Sequence, residues 1–202
     1  SLAYLRLNDS LNFRKTNATT MLLAKKVTDS TTQAETHWDL AGIFRANSLP
    51  DSAYYHFAAA QKVYASLKKD GFSGRMFYNM AIVQLGARDY TASEINTVKA
   101  IALLKPKNAN TQLYNCYNNL AIIAREFNNY SLALKYHNTS LKYLELSNSK
   151  STLKLKAKNN IGATYKKKED FEASKIYFNQ VVEADSIYYK DIMLYATALN
   201  NL

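Results

Sequence analysis

The sequence predicts an all-α fold of stacked antiparallel helix pairs, and three observations predict it. The 202 residues include only 5 Gly and 2 Pro, too few to turn the many corners of an all-β chain, while hydrophobic residues make up 48%. Apolar positions recur at spacings of three and four, the period that gathers side chains on one face of a helix. Small residues then return in a fixed register. Ala41, Ala81, Ala121 and Gly162 are separated by 40, 40 and 41 residues, and two further ladders (Ala53, Ser93, Ala133, Ser174; Ala60, Ala100, Ser140, Val181) keep the same separations. A single amphipathic helix supplies one stripe but not three ladders in register across corners, so the pattern marks a repeat.

Taken in order, Ser1 to Leu7 reads as the tail of a helix. Asn8-Asp9-Ser10 is a turn with capping side chains, and Phe13 to Val27 a second helix with Met21, Leu22 and Ala24 inward. Residues 1–33 are thus a degenerate or truncated copy of the later repeats. Repeat 34–73 puts Leu40 and Ala41 on a first helix and Ala53, Phe57 and Ala60 on a second. Pro50 fits the opening turn of that second helix, where its missing N–H costs nothing. Repeat 74–113 has Met80 and Ala81, a corner at Asp89-Tyr90, then Ser93 and Ala100. Repeat 114–154 is the clearest copy, two short helices hinged at Asn128-Asn129, with Ala121 facing Ala133 and Ser140. Repeat 155–195 has Ile161 and Gly162, a corner at Asp170-Phe171, then Ser174, Phe178 and Val181. Residues 196–202 open a further helix, so the chain reads as one array cut from a longer protein.

These residues resemble the tetratricopeptide repeats. Their pattern is an aromatic and Leu, then a small residue, on helix A, an acidic-aromatic corner, then Ala, aromatic, Ala on helix B. Leu40, Ala41, Phe44, Ala53, Phe57 and Ala60 match it nearly in full; Asn119, Leu120, Ala121, Tyr130 and Ala133 match, as do Asn160, Ile161, Gly162, Tyr165, Phe171 and Phe178. The second copy departs, with Gln84 and Thr97 at aromatic positions. The unit is also longer than the usual ~34 residues by about six, which fall between helix B and the next helix A, as in Lys68 to Phe72 and Lys105 to Asn108. The resemblance implies a right-handed superhelical solenoid, and the stretched repeat is similar to those of bacterial regulators and sensor kinases.

No catalytic constellation is visible. His37, His56 and His137 fall in no metal-ligand spacing, and five scattered glycines make no phosphate loop. Cys116 reads as a small packing residue, and a lone cysteine excludes an internal disulfide. No apolar run approaches the ~18 residues of a membrane span. The expectation is a non-catalytic module without cofactor or metal.

In such stacks the first helices line the concave side, which assigns a binding groove to positions six, three and two before the small residue and one and four after it. Two before stand Asp39, Asn79, Asn119 and Asn160; three before, Trp38, Tyr78, Asn118 and Asn159. Four after gives Arg45, Arg125 and Lys166, and six before gives Arg75 and Lys156. Asn is a mediocre helix former, so its recurrence asks for a reason. Its amide suits two-point hydrogen bonding to an extended peptide, the role the resemblance implies for Asn79, Asn119 and Asn160, or else it bonds to neighbouring helices across the stack. The cations suit an acidic segment, whereas the resemblance implies that Trp38 and Tyr78 stand where members of that family with a carboxylate clamp carry its first Lys. They form an apolar pocket or fill the stack. The expected partner is therefore a protein or peptide, with homo-oligomers through terminal repeats as a further possibility. A nucleic-acid or anionic-surface reading rests on Lys150 to Lys168, seven lysines without an acid, and ranks below it. A net charge of +10 favours anionic partners in either case.

Overall fold

The computed structural model describes residues 9–26, 28–147, 151–184 and 191–202. The helix tail expected at Ser1 to Leu7, with Asn8, Val27 and Lys150, lies outside them. The described residues form ten α-helices and no strand: α1 Ser10–Lys26, α2 Ser30–Ala46, α3 Pro50–Ser66, α4 Asp70–Gly86, α5 Tyr90–Leu104, α6 Asn110–Glu126, α7 Tyr130–Glu145, α8 Ser151–Lys167, α9 Phe171–Val182 and α10 Ile192–Asn201. The chain divides into two compact units, residues 1–107 with α1 to α5 and residues 108–202 with α6 to α10. Even-numbered helices are of the A type and odd-numbered ones of the B type.

The corners share one backbone solution. Thr28, Ser48, Lys68, Arg88, Asn108, Asn128 and Glu169 all have positive φ, from 50° to 66°. In six of them the left-handed residue donates its N–H three residues back and the next residue donates five back. Ser48 and Leu49 bond Arg45 O and Phe44 O in this way, and Arg88 and Asp89 bond Leu85 O and Gln84 O. That is the Schellman motif, which satisfies two of the carbonyls a helix end leaves open. The following residue caps the next helix: Asp29, Asp89, Asn129 and Asp170 accept from the backbone N–H three residues on, and Asp191 caps α10 in the same way. Pro50 occupies the first turn of α3, as its fixed φ predicts.

This corner explains the long repeat. Helices α2, α3, α4, α6 and α8 each run 17 residues, and three-residue corners recur on both sides. The added residues are therefore shared between the helices, rather than collected before each helix A. Asp70, Gly71 and Phe72 form the first turn of α4, and Lys105–Lys107 continues α5 as a 3-10 turn. In α1 the inward line is Phe13, Asn17 and Ala24; Leu22, expected inward, is exposed because it lies off that i, i+4, i+11 line.

All three small-residue ladders are buried. Where the second ladder carries Ser, its hydroxyl donates across the pair, Ser93 to Ala81 O at 2.8 Å and Ser174 to Gly162 O at 3.0 Å. Backbones must approach closely for that bond to form. A fourth ladder, Phe57, Thr97, His137 and Phe178, is also fully buried, so Thr97 and His137 take aromatic core positions. Gln84, the other departure, contributes no ring to a stack but accepts from Asn96 at 2.8 Å. The equivalent pairs in the first and fourth repeats are stacked rings, Phe44 on His56 and Tyr165 on Tyr177, while the third has Ala124 at this position.

Two measurements check this packing. A Cβ at Gly162 would lie 2.8 Å from the fully buried Phe178 ring, whereas one at Gly42 meets nothing within 4 Å. Urea unfolding is expected to show Gly162→Ala destabilising by about 1–2 kcal/mol and Gly42→Ala stabilising by about 1 kcal/mol. At the corners, Lys68→Gly relieves left-handed strain and raises stability by roughly 0.5–1 kcal/mol, while Lys68→Val lowers it. Equal effects of the two Lys68 substitutions on the urea midpoint would contradict the assigned corner.

Candidate interaction surface

In unit 1 the A helices are α2 and α4. Trp38 there is packed against its neighbours. It packs edge-on against Tyr64 (6.5 Å) and Phe72 (6.3 Å), with the Arg75 guanidinium 4.5 Å from its ring centroid. Burial, with Glu35 nearby, pushes the Tyr64 phenol up to about 12. Asp39, Tyr78 and Asn79 are half-buried on the same helices, and Arg45 is exposed. Arg45 lines a cleft of about 320 Å3 with Ile82, Val83 and Gly86.

In unit 2 the A helices are α6, α8 and α10, and several expected groove residues bond from one to the next. Asn160 donates its amide to Asn118 Oδ1 at 2.9 Å, which is the cross-stack bond of the two roles open to asparagine. Lys156 pairs with Asp191 at 2.8 Å, holding the cap of α10 below the usual carboxylate range, and Lys166 donates to Asn201 O at 3.0 Å. Asn119 is 1% exposed and Asn159 9%, so these two amides face the stack and not solvent. The ladder two before the small residue therefore divides. Asp39, Asn79 and Asn160 keep exposed surface and Asn119 does not.

Arg125 and Lys166, with Lys167, Ala163 and Asn201, frame a cleft of about 410 Å3. It stands in the register of the unit 1 cleft. Each is lined by the Arg four after the small residue of one A helix and by the residues one and five after that of the next, Ile82 and Gly86 in unit 1 and Ala163 and Lys167 in unit 2. The unit 2 copy is cationic, with Arg125 held by Glu126 at 3.2 Å and Lys167 exposed. The cations stand at helix C-termini, where they also complement the helix dipole. Lys167 lies outside the groove positions read from the sequence; its five-after position, equivalent to Gly86, is what marks it.

Within the basic stretch, Lys168 reaches Asp170 at 3.9 Å and lies over Tyr165, while Lys154 is exposed. Cys116 is buried, and burial pushes its thiol up to about 12, which keeps it protonated and unreactive. Among the described residues no three His, Cys, Asp or Glu side chains gather as metal ligands, and no helix is long and apolar enough to cross a membrane.

The sequence matches no protein-family model and no curated protein. Its fold, however, is that of solved TPR-like repeat proteins. BtubC (BKLC) from P. vanneervenii superposes with a TM-score of 0.76 at 18% identity, over 90% of this chain and 76% of that one. A kinesin light chain with nearly identical TPR-like repeats from Podosopora anserina gives 0.73 at 9% identity, over 94% and 92%. MamA gives 0.60 at 14%, over 98% and 92%. The chain thus has the all-α TPR-like fold expected from the ladders.

A buried link joins this surface to the core. Thr164 donates its hydroxyl to Asn160 O at 3.0 Å, so it accepts from His137 Nε2 at 3.1 Å and fixes that tautomer. Burial, aided by Arg125, lowers the His137 imidazole to about 3. The folded protein therefore holds it neutral, while the unfolded chain protonates it near 6.5. Its contribution is complete above pH 6.5 and is lost as pH falls towards 3, at about 1.4 kcal/mol per pH unit. Between pH 8 and 5, the stability advantage of the native protein over His137→Gln is expected to shrink by on the order of 2 kcal/mol in urea titrations. A pH-independent difference would contradict the buried neutral imidazole.

Proposed function

We propose that this chain is a non-catalytic protein-interaction module, the sensory or scaffolding part of a larger bacterial regulator, that takes an extended acidic segment of a partner along its A helices. The observation that carries this reading is the cationic cleft framed by Arg125, Lys166 and Lys167, which repeats in basic form the register of the Arg45 cleft. Cations grouped around a low-dielectric recess concentrate carboxylates and steer their approach. The likeness to TPR-like repeat folds supports an interaction role. The amides contribute by bracing adjacent A helices, as Asn118 and Asn160 do, and by the partly exposed Asn79.

The cleft is tested by fluorescence anisotropy with a labelled Asp/Glu-rich nonapeptide. Arg125→Gln with Lys167→Glu is expected to weaken binding at least about tenfold without shifting the melting temperature. Lys166 is left intact because it ties α10 through Asn201. Unchanged affinity in the double variant would remove the cleft as the site. Tighter binding of random single-stranded RNA, lost with Lys154→Ala and Lys158→Ala, would favour the nucleic-acid reading instead.

A further inference from the structure

Unit 1 holds a second concavity, away from the A-helix clefts, where α1, α2 and α3 meet. Its volume of about 500 Å3 falls in the range of sites for small organic molecules. Met21, Leu22, Leu40 and Phe44 supply apolar walls. Of its polar lining groups, the Asn17 amide nitrogen is committed to Thr36 O at 3.1 Å. The others are Arg14, exposed with its guanidinium 5.2 Å from the Phe44 ring centroid, and the His37–His56 pair. No acidic residue lines the cavity, and Arg14 forms no ion pair among the described residues.

The imidazole pair shares a proton and keeps one outward N–H donor. His37 Nδ1 and His56 Nδ1 are 2.8 Å apart, so one proton lies between them. The ring that accepts it carries its own proton on Nε2. Phe44 stacks on His56 at 5.3 Å and Tyr55 meets it edge-on at 5.1 Å, which fixes the orientation of the ring. An apolar chamber edged by one guanidinium, with one imidazole N–H and one imidazole acceptor nitrogen among its lining residues, no carboxylate, and Lys25 as the further charge acting on His37, favours a negative over a positive head on an apolar body.

We propose that this cavity binds an amphipathic organic monocarboxylate, its apolar body against Met21, Leu40 and Phe44 and its carboxylate towards Arg14 and the histidine pair. Decanoate, below its micellar concentration, serves as the probe in calorimetric titration of the full chain, with decyltrimethylammonium as the charge-reversed control. One decanoate per chain is expected, with the ammonium compound weaker by about tenfold and Arg14→Gln and His56→Gln each costing a similar factor. Met21→Trp, which fills the chamber, is expected to abolish binding. If His56→Gln fails to fold, Arg14→Gln at its exposed position still decides. Absence of saturable binding, equal affinity for the cationic control, or indifference to Arg14→Gln would overturn the proposal.

Discussion

Everything else in this protein depends on how closely the two backbones of each helix pair approach. The helices meet at Ala41 and Ala53, Ala81 and Ser93, Ala121 and Ala133, and Gly162 and Ser174, all buried. Where Ser replaces Ala, the hydroxyl is near enough to donate to a backbone carbonyl of the partner helix. A larger side chain at any of these points would separate the pair and strip the aromatic ladder of its contacts. Phe57 and Phe178 are fully enclosed because the small residues let the opposing helix close over them.

The same constraint sets what the A helices can offer outside. Once each pair is locked, its neighbours are tied by bonds between successive A helices, and those bonds draw on the polar residues available there. Asn118 with Asn160, Lys156 with Asp191, and Lys166 with Asn201 are of this kind, as is Arg75 over Trp38. The concavities that remain beside these residues are the recesses between helices framed by Arg45 and by Arg125.

Much of this was legible in the sequence because small residues leave a periodic trace. Helix type, pairing and the ladders followed from Ala41, Ala81, Ala121 and Gly162. The corners did not: Thr28, Ser48, Lys68, Arg88, Asn108, Asn128 and Glu169 share a left-handed backbone but no side-chain chemistry, and none is Gly. Without that signal the extra length of the repeat could not be divided between its helices. The register of the clefts was legible, since positions one and four after the small residue line them. Which amides face solvent was not. Asn119 and Asn160 occupy equivalent positions, yet burial separates them, a distinction set by neighbours that periodicity does not encode.

The uniform corner carries a consequence for how such a chain tolerates length changes. At the backbone, each helix with its turn between Thr28 and Asn128 spans twenty residues, as from Ser48 to Lys68 and from Lys68 to Arg88, so A and B segments there are interchangeable. The side chains are not, since Ala41 and Ala81 belong to one ladder and Ala53 and Ser93 to another. Excising twenty residues would rejoin two compatible turns while presenting the wrong face to its neighbour. Excising forty would restore both, which makes the hairpin and not the helix the smallest exchangeable piece of the molecule.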